Sequence, residues 1–505
     1  MRKLFCTILS LATMAFLILM FVQEKGKLFQ LKPLNGVVEE TKMPAFSFDN
    51  FVEGNLQKDA EQYSKEHFGF REWLIRLYNQ YLWDAYKKTY VESIVIGKDH
   101  YLYKKDYVDD YEGVFWKSVA NNRDQLLQQL RQEAIRLSKV QEILSAYGKH
   151  LFVVIEPSKV NTYPEHLPDW VKHPEDNVTA ADIYPMLFDS LGVNYIDFNR
   201  YFQQVKDSVV YQLYPRTGTH WSNIAALHVA DSIVRYMAWL GNRDLPTLSI
   251  SETLFDTVMI PDNDYEDLLN LWRPIRSVSN QYADFRIVAD TNATKPALLT
   301  IGDSYYWNFS YHISLDSIFV RHPYWYYNST VYYDPNHFST NSINYTQALI
   351  NTDYVMVSYC TANLYAMSNQ FSSKALVHLC YNETEINNAF ERLLNEIESN
   401  PTWKAAIQEK AHKNGIPFDI MMRNEAESFL YTYAERYFPA LNNSHPAPRN
   451  QLLRVCQPGD PRGDVIRKMI NDPVWMDHLK QKAEKRHLDL ETNMIQDAQW
   501  VLDQQ

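Results

Sequence analysis

The first hydrophobic segment of this chain is an uninterrupted run of apolar or small residues at residues 4–22, which follows Arg2 and Lys3. A run of this length is sufficient to cross a bilayer, and the preceding cationic residues favour a cytoplasmic location for its amino end. The run passes into polar sequence without the small residues of a cleavage site. We therefore predict an uncleaved signal anchor over residues 1–24, a tether over residues 25–50 and an exported remainder.

The central part of the chain alternates between helical and strand-like hydrophobic patterns. Apolar positions at three-to-four spacing predict helices at residues 51–86, 121–147 and 222–240. Short apolar runs predict strands at residues 151–155, 193–196, 297–301, 317–320 and 354–357, and residues 93–98 and 101–103 predict a hairpin. Such alternation is typical of a mostly parallel sheet covered by helices. We predict an α/β domain of three layers over residues 51–370.

The pattern becomes helical and charged over residues 375–505. Within this part, residues 400–430 can be aligned without gaps on residues 472–502, which matches Pro401 with Pro473. The alignment indicates an internal repeat of a helical hairpin. We predict that this α-helical appendage serves packing or interaction.

Charge and composition limit the classes of function. The formal net charge is -12, from 49 basic and 61 acidic residues, without a basic block beyond the amino terminus. This balance gives no electrostatic footprint for nucleic acid. Aromatic residues reach 14% and support a carbohydrate substrate only weakly, because they also fill ordinary cores.

The four cysteines do not predict a disulfide framework. Cys6 falls within the predicted anchor, which leaves the odd number Cys360, Cys380 and Cys456 outside it. The sequence also lacks zinc-type cysteine pairs, an H-E-x-x-H motif and a glycine-rich nucleotide loop. We therefore expect a chemistry that needs no metal and no cofactor.

Two short motifs carry candidate chemistry. Residues 302–304 (GDS) follow a predicted strand, and His220 lies in the segment 217–221 (TGTHW). A serine hydroxyl becomes a good nucleophile when an imidazole removes its proton, so the pair Ser304 and His220 predicts acyl transfer. The alternatives are that residues 303–304 only cap a helix and that His220 is a hydrogen-bonded core histidine.

Several motifs in a fixed order extend this interpretation. They are GNLQKD (54–59), HFGFR (67–71), VIGK (95–98), YLY (101–103), EPSK (156–159), YPE (163–165), THWS (219–222) and GDS (302–304). Together they cover roughly residues 50–365. In these motifs the chain resembles the SGNH-hydrolase-like family of alginate O-acetylation proteins, the AlgX/AlgJ type, also called the DHHW family.

The resemblance implies roles for individual residues. Ser304 would be the nucleophile and His220 the general base, while the acid of the family would stand where this chain has Gly218. Another carboxylate would then orient the histidine, and Asp197 or Glu156 would lie at the carboxyl edge of the sheet. The candidate oxyanion donors are the Ser304 amide and the side chains of Tyr305, Asn308 and Asn363.

The resemblance also implies a function and partners. We expect a polysaccharide O-acetyltransferase at the inner membrane, with its main domain in the periplasm. An exported polysaccharide would be the acceptor, and a membrane-bound O-acyltransferase would supply the acetyl group. The alternatives are a carbohydrate O-acetylesterase and a catalytically silent polysaccharide-binding or scaffold protein, the latter favoured by Gly218.

Overall fold

The computed structural model describes residues 2–36, 41–175, 177–257, 262–275, 280–333, 336–448, 451–456 and 459–504. The strands, in chain order, are β1 Ile94–Ile96, β2 Leu102–Lys104, β3 His150–Glu156, β4 Tyr195–Asp197, β5 Thr247–Thr257, β6 Asn280–Val288, β7 Leu298–Gly302, β8 Tyr324–Tyr326, β9 Thr330–Tyr333, β10 Asn336–Ser339 and β11 Tyr354–Cys360.

The α-helices up to the end of the central sheet are α1 Arg2–Gly26, α2 Phe48–Val52, α3 Asn55–Glu66, α4 Arg71–Tyr86, α5 Lys105–Tyr111, α6 Arg123–Ala146, α7 Lys159–Thr162, α8 Ala180–Leu191, α9 Phe198–Val205, α10 Asn223–Gly241, α11 Asp264–Leu268, α12 Tyr306–His312 and α13 Tyr345–Ile350. The remaining helices are α14 Phe371–Cys380, α15 Glu383–Ser399, α16 Pro401–Asn414, α17 Phe418–Thr432, α18 Ala434–Tyr437, α19 Gln451–Val455, α20 Pro461–Asn471, α21 Pro473–Arg486 and α22 Leu490–Asp503.

The central sheet has the strand order β10-β9-β8-β7-β11-β3-β4. The five strands from β8 to β4 are parallel neighbours, and β9 and β10 add an antiparallel edge. The carboxyl ends of β7, β11 and β3 therefore meet at one edge of the sheet. The predicted α/β class with a mostly parallel sheet is confirmed.

Both faces of the sheet are buried under helices. Successive side chains of a strand point to opposite faces, so Leu151, Val153 and Ile155 enter one core while Phe152 and Val154 enter the other. The first core includes residues of α6, α8 and α14 and continues into the C-terminal helices, and the second includes residues of α10 and α12. This arrangement explains why the central strands are nearly continuous apolar runs.

Two of the predicted elements differ in the structure. The apolar run 317–320 is not a strand, because a 3-10 turn at Leu315–Ser317 leads into the buried side chains of Ile318 and Phe319. A short apolar run fits a buried turn as well as a strand. The helical segment 51–86 is divided into α2, α3 and α4 by residues in the left-handed conformation, Gly54 (φ 81°) and Phe70 (φ 64°).

The apolar amino-terminal run forms helix α1. Within the described residues it is the one helix with the length and composition to cross a membrane, over the 23 residues Leu4–Gly26, and its apolar window is not buried in the protein. The residues after it contact the folded part, since Arg76 of α4 donates to the carbonyl oxygens of Lys32 (2.8 Å) and Pro33 (2.6 Å). Residues 37–40 of the predicted tether lie outside the described residues.

The two segments of the predicted repeat each form a pair of helices with matching positions. Helices α16 and α17 correspond to α21 and α22, and each pair is joined by an ion pair, Lys410–Glu425 in the first and Lys482–Asp497 in the second. Asn471, just before the second pair, accepts hydrogen bonds from Arg321 (3.1 Å) and Asn351 (3.2 Å). These residues precede β8 and β11, so this contact lies at the amino edge of the sheet.

Candidate active site

Ser304 lies in the turn that leaves the carboxyl end of β7. A Cβ atom on Gly302 would lie 2.6 Å from the Ser358 carbonyl oxygen, so glycine permits the close approach of β7 to β11. The next residue, Asp303, is fully buried, and its carboxylate accepts hydrogen bonds from the backbone N–H groups of Cys360 (3.0 Å) and Tyr305 (3.1 Å). These bonds fix the turn and leave Ser304 half-buried at the edge of the sheet.

His220 comes to this turn from the loop before α10. Its Nε2 atom lies 2.9 Å from the Ser304 Oγ atom, which is hydrogen-bonding distance. The imidazole packs edge-on against the buried Tyr305 ring, with 4.8 Å between ring centroids. The following residue, Trp221, is fully buried, and its carbonyl oxygen accepts a hydrogen bond from Asn308 (3.2 Å). The structure thus brings together the two residues that the motifs predicted as a pair.

The surroundings of His220 favour its neutral form. Burial lowers the pKa of the imidazole below its usual value, and the negative charges of Asp264 and Asp303 oppose this effect only in part. A neutral imidazole whose Nε2 atom faces a hydroxyl can accept the hydroxyl proton. The pair has the geometry and the protonation state of a general base and its nucleophile.

The second ring nitrogen of His220 faces a carboxylate that the sequence analysis did not identify. Asp264, at the start of α11, places its Oδ2 atom 3.9 Å from the His220 Nδ1 atom. The same carboxylate accepts hydrogen bonds from the Thr219 backbone N–H (2.7 Å) and the Thr219 hydroxyl (2.6 Å). Asp264 lies in the connection between β5 and β6, and no motif or spacing in that segment indicates a role in the site.

Glu156 and Asp197, the predicted orienting acids, have other contacts. Within the part of the chain that the structure describes, neither forms a hydrogen bond or ion pair with His220. Glu156 is fully buried and accepts a hydrogen bond from the Ser358 hydroxyl (2.5 Å). Burial, together with the charge of Asp303, raises the pKa of Glu156 well above its usual value, so this side chain is neutral and cannot stabilise an imidazolium.

Asp197 stands at the amino end of α9, where it accepts a hydrogen bond from the backbone N–H of Arg200 (2.8 Å). This is the geometry of a helix N-cap. Both acids are at the carboxyl ends of strands, as predicted, but a position at this edge does not decide which way a carboxylate points.

The predicted side-chain oxyanion donors are also engaged. Asn363 donates to the Asp303 carboxylate (2.7 Å) and to the Tyr327 hydroxyl (3.1 Å), and Asn308 holds the Trp221 carbonyl oxygen. The Tyr305 hydroxyl is fully buried near the Thr219 carbonyl oxygen (3.4 Å). The Ser304 amide forms no hydrogen bond within the described residues. An oxyanion role for any of these groups stays a prediction.

A buried lysine supports the loop that carries His220. The Lys159 ammonium donates to the carbonyl oxygens of Leu102 (2.9 Å), Arg216 (3.2 Å) and Gly218. Burial lowers its pKa to about 7. Among the described residues there is no group of three or more histidine, cysteine, aspartate or glutamate side chains that could hold a metal ion.

Part of the chain matches a known protein family. Residues 94–300 match the family model described as "SGNH hydrolase-like domain, acetyltransferase AlgX", over about two fifths of the chain. The chain therefore contains an AlgX-type SGNH hydrolase-like domain. The predicted resemblance is confirmed. The matched segment includes His220 and Asp264 and ends just before Ser304. No curated protein sequence matches the chain.

Solved structures that are similar to part of this chain include AlgJ, AlgX and PatB1. The O-acetyltransferase domain of Pseudomonas putida AlgJ has 16% identity and a TM-score of 0.35, over 54% of this chain and 92% of its own. Pseudomonas aeruginosa AlgX has 13% identity and a TM-score of 0.36, over 55% and 66%. Bacillus cereus PatB1 with a sulfonyl adduct has 12% identity and a TM-score of 0.34, over 54% and 97%. Likenesses this weak carry no argument about activity.

Proposed function

We propose that this protein is a polysaccharide O-acetyltransferase that carries the acetyl group on Ser304 as a covalent intermediate. The observation that supports the proposal most directly is the 2.9 Å contact between the His220 Nε2 atom and the Ser304 Oγ atom at the carboxyl edge of the sheet. The match of residues 94–300 to an acetyltransferase family model agrees with this chemistry.

The reaction consists of two acyl transfers. In the first, His220 accepts the Ser304 hydroxyl proton while the Oγ atom attacks the carbonyl carbon of an acetyl donor, and the donor's leaving group departs with that proton. In the second, His220 accepts a proton from a sugar hydroxyl, whose oxygen attacks the acetyl-serine carbonyl. The serine oxygen leaves and regains the proton. The neutral imidazole that the site favours is required at the start of both steps.

The amino-terminal helix suggests where the reaction takes place. A helix that spans the inner membrane would hold the catalytic domain on its periplasmic side, beside an exported polysaccharide. A membrane-bound O-acyltransferase would supply the acetyl group there. The apolar span Leu4–Gly26 and the preceding cationic residues support this arrangement.

The test uses the purified protein in detergent, an activated acetyl ester as donor and neutral oligosaccharides as acceptors. We expect Ser304→Ala and His220→Ala to reduce ester turnover by about 1000-fold or more, since each removes one half of the nucleophile pair. Ser310→Ala is the matched control, because this serine lies exposed on α12 and its hydroxyl bonds to the Trp307 carbonyl oxygen. Full turnover by Ser304→Ala would overturn the proposal.

The products distinguish the alternative functions. Acetylated oligosaccharide indicates a transferase, whereas free acetate that does not change with added sugar indicates an esterase. A silent scaffold would give neither product and would not be labelled by a serine-directed fluorophosphonate. We expect labelling of the wild type at Ser304 and its loss in Ser304→Ala.

A further inference from the structure

The Nδ1 atom of His220 is a buried polar group of the candidate site that lacks a hydrogen-bond partner within the described residues. The acid of a Ser-His-Asp triad holds the imidazole in its correct tautomer and stabilises the imidazolium that forms during the reaction. An unpartnered Nδ1 atom therefore marks the place where such an acid would act.

The backbone before His220 leaves no room for an acid two residues upstream. A Cβ atom on Gly218 would lie 2.5 Å from the Asp262 carbonyl oxygen and 2.7 Å from the Pro215 Cγ atom. Real Cβ atoms do not approach backbone oxygens so closely, so the position requires glycine in this arrangement. The segment that excludes the side chain is the one that carries Asp264.

Asp264 is held in this position by several contacts. Thr219 binds its carboxylate through both the backbone N–H and the hydroxyl, and the Tyr265 backbone N–H donates to the Thr217 carbonyl oxygen (3.1 Å). The start of α11 is therefore attached to residues 217 and 219 on either side of Gly218. These hydrogen bonds hold the Asp264 carboxylate close to the His220 imidazole, with 3.9 Å between the Oδ2 and Nδ1 atoms.

We propose that Asp264 is the orienting acid of the site. It comes from the connection between β5 and β6 and takes the role of the acid that Gly218 lacks. The inference rests on the proposed function of Ser304 and His220. When His220 takes the Ser304 proton on Nε2, the charged ring keeps its second proton on Nδ1, and that N–H donates to the Asp264 Oδ2 atom. The gap closes by about 1 Å to hydrogen-bonding distance, in line with the loose catalytic contacts of unliganded sites.

The proposal predicts a specific effect of Asp264→Asn, which keeps the size of the side chain and removes its charge. We expect kcat/KM for acetyl-ester hydrolysis to fall by about 1000-fold or more, as when the aspartate of a serine triad becomes asparagine. Asp267→Asn is the matched control on the same helix, and its activity should stay within about threefold of the wild type, since its side chain is outside the site.

The pH profile separates orientation from a purely structural role. The charged groups that face His220 are Asp264 on α11, Asp303 after β7, Lys104 on β2 and Lys159 on α7. Loss of the Asp264 charge should move the acid limb of the kcat/KM profile to lower pH, because this carboxylate favours the imidazolium. A change that only loosens the loop would lower activity without moving the limb in this direction.

Thr219→Val tests the structural alternative directly. This variant removes the hydroxyl bond to Oδ2 but keeps the carboxylate, so we expect less than about a tenfold loss of kcat/KM. A loss equal to that of Asp264→Asn would mean that Asp264 acts only by holding Thr219, and would overturn the inference.

Two further outcomes complete the test. If Asp264→Asn does not fold, Asp264→Glu is the second variant, because it keeps the charge. It should retain the acid limb of the kcat/KM profile and more than about a hundredth of the wild-type activity. A folded Asp264→Glu with less activity than this would contradict the inference. If Ser304→Ala is inactive while folded Asp264→Asn has wild-type activity, the inference fails and the proposed function stands. Full activity of Ser304→Ala would instead reject the proposed function.

Discussion

The Asp262 carbonyl oxygen lies 2.5 Å from the place that a Cβ atom would occupy on Gly218. This contact joins the loop that carries His220 to the segment that carries Asp264. The Lys159 ammonium donates to the Gly218 carbonyl oxygen. Gly218 is therefore packed against the Asp262 backbone and the Pro215 ring, and its lack of a side chain is a condition for the observed position of α11.

We predict that Gly218→Ala lowers both stability and activity. The added methyl group must displace residues 262–264, at a cost of about 2 kcal/mol in the free energy of unfolding. The shift of Asp264 should lower kcat/KM for an acetyl ester by about tenfold. Denaturant unfolding and ester hydrolysis measure the two effects.

Gly463→Ala is the control for the added methyl group. A Cβ atom there would lie 3.0 Å from the Cys456 Cα atom, in the C-terminal helical region. This variant should be less stable but fully active. Equal activities of Gly218→Ala and wild type would show that the segment 262–264 does not need its observed position.

The pH dependence of the reaction follows from the burial of His220. Burial lowers the pKa of its imidazole below the usual 6.5, and the general base must be neutral. Activity should therefore persist at pH 6.5 and be lost only as the pH falls through the lower folded-state pKa. The kcat/KM profile for acetyl-ester hydrolysis measures this limb, with intrinsic fluorescence at each pH as a control for folding. An acid limb centred at or above pH 6.5 would contradict the prediction.

The contact between Ser304 and His220 was predictable because the motifs that carry these residues are local signals. A short apolar strand followed by GDS specifies a turn at the sheet edge, and the structure places Ser304 there, in contact with His220. The α/β class was predictable for the same reason, since strands buried on both faces appear as continuous apolar runs. The run 317–320 is an exception, because it was predicted as a strand and is instead a buried segment that begins in a turn.

Asp264 could not be predicted from local patterns. It lies near His220 because residues 262–264, in the described part of the connection between β5 and β6, pack against Gly218 and Thr219. Glu156, by contrast, has the predicted position at a strand end, but burial makes it neutral. Position along a strand is a property of the sequence pattern, whereas charge state and side-chain direction depend on the packed neighbours.

The neutral state of Glu156 has a testable consequence. Glutamine has nearly the same shape as a protonated glutamate, so Glu156→Gln should keep kcat/KM within about threefold of the wild type. Glu156→Ala is the contrasting variant, since it leaves a cavity and removes the acceptor of the Ser358 hydroxyl, at a cost of about 2 kcal/mol. A large loss of activity in a folded Glu156→Gln would restore the carboxylate as a catalytic candidate.

The stabilities of the wild type and of Glu156→Gln should also differ in their dependence on pH. The folded-state pKa of Glu156 is raised above its unfolded value of 4.5, so the folded state binds more protons than the unfolded state above that pH. Wild-type stability therefore includes a cost that grows as the pH rises above 4.5 towards the folded-state pKa, and the glutamine variant lacks this cost. Urea unfolding of both proteins across this range measures the difference.

Lys159 supports the His220 loop, so its loss should affect stability and the pH profile together. Lys159→Met removes the ammonium donor of the Leu102, Arg216 and Gly218 carbonyl oxygens, of which Arg216 keeps the Leu102 backbone N–H, at a cost of about 3 kcal/mol. It also removes a positive charge that lowers the pKa of His220, so the acid limb should move to higher pH. Lys104→Met is the control, because Lys104 has the same effect on His220 from a more exposed position. It should move the limb in the same direction without the loss of stability.

The segment after α1 is in contact with the helix that carries Asp264. The Asn35 backbone N–H donates to the Asn270 side-chain oxygen (2.8 Å), and the Asn35 side-chain amide donates to the Asp267 carbonyl oxygen (3.0 Å). Asn270 in turn donates to the Asn35 carbonyl oxygen (3.0 Å). From the body of the protein, Asn79 of α4 binds the Leu269 carbonyl oxygen (2.9 Å). The carboxyl end of α11 is thus held between α4 and the segment that follows α1.

We therefore predict that Asn270→Ala lowers activity although this residue is outside the site. Loss of its bonds to Asn35 should loosen α11 and reduce kcat/KM for an acetyl ester by about threefold to tenfold, with a change of less than about 1 kcal/mol in the free energy of unfolding. Asn55→Ala is the matched control, since among the described residues its exposed side chain bonds only to Glu53, on the surface of the amino-terminal helices. If the activity of Asn270→Ala equals that of Asn55→Ala, the contact with the segment after α1 does not support the position of Asp264.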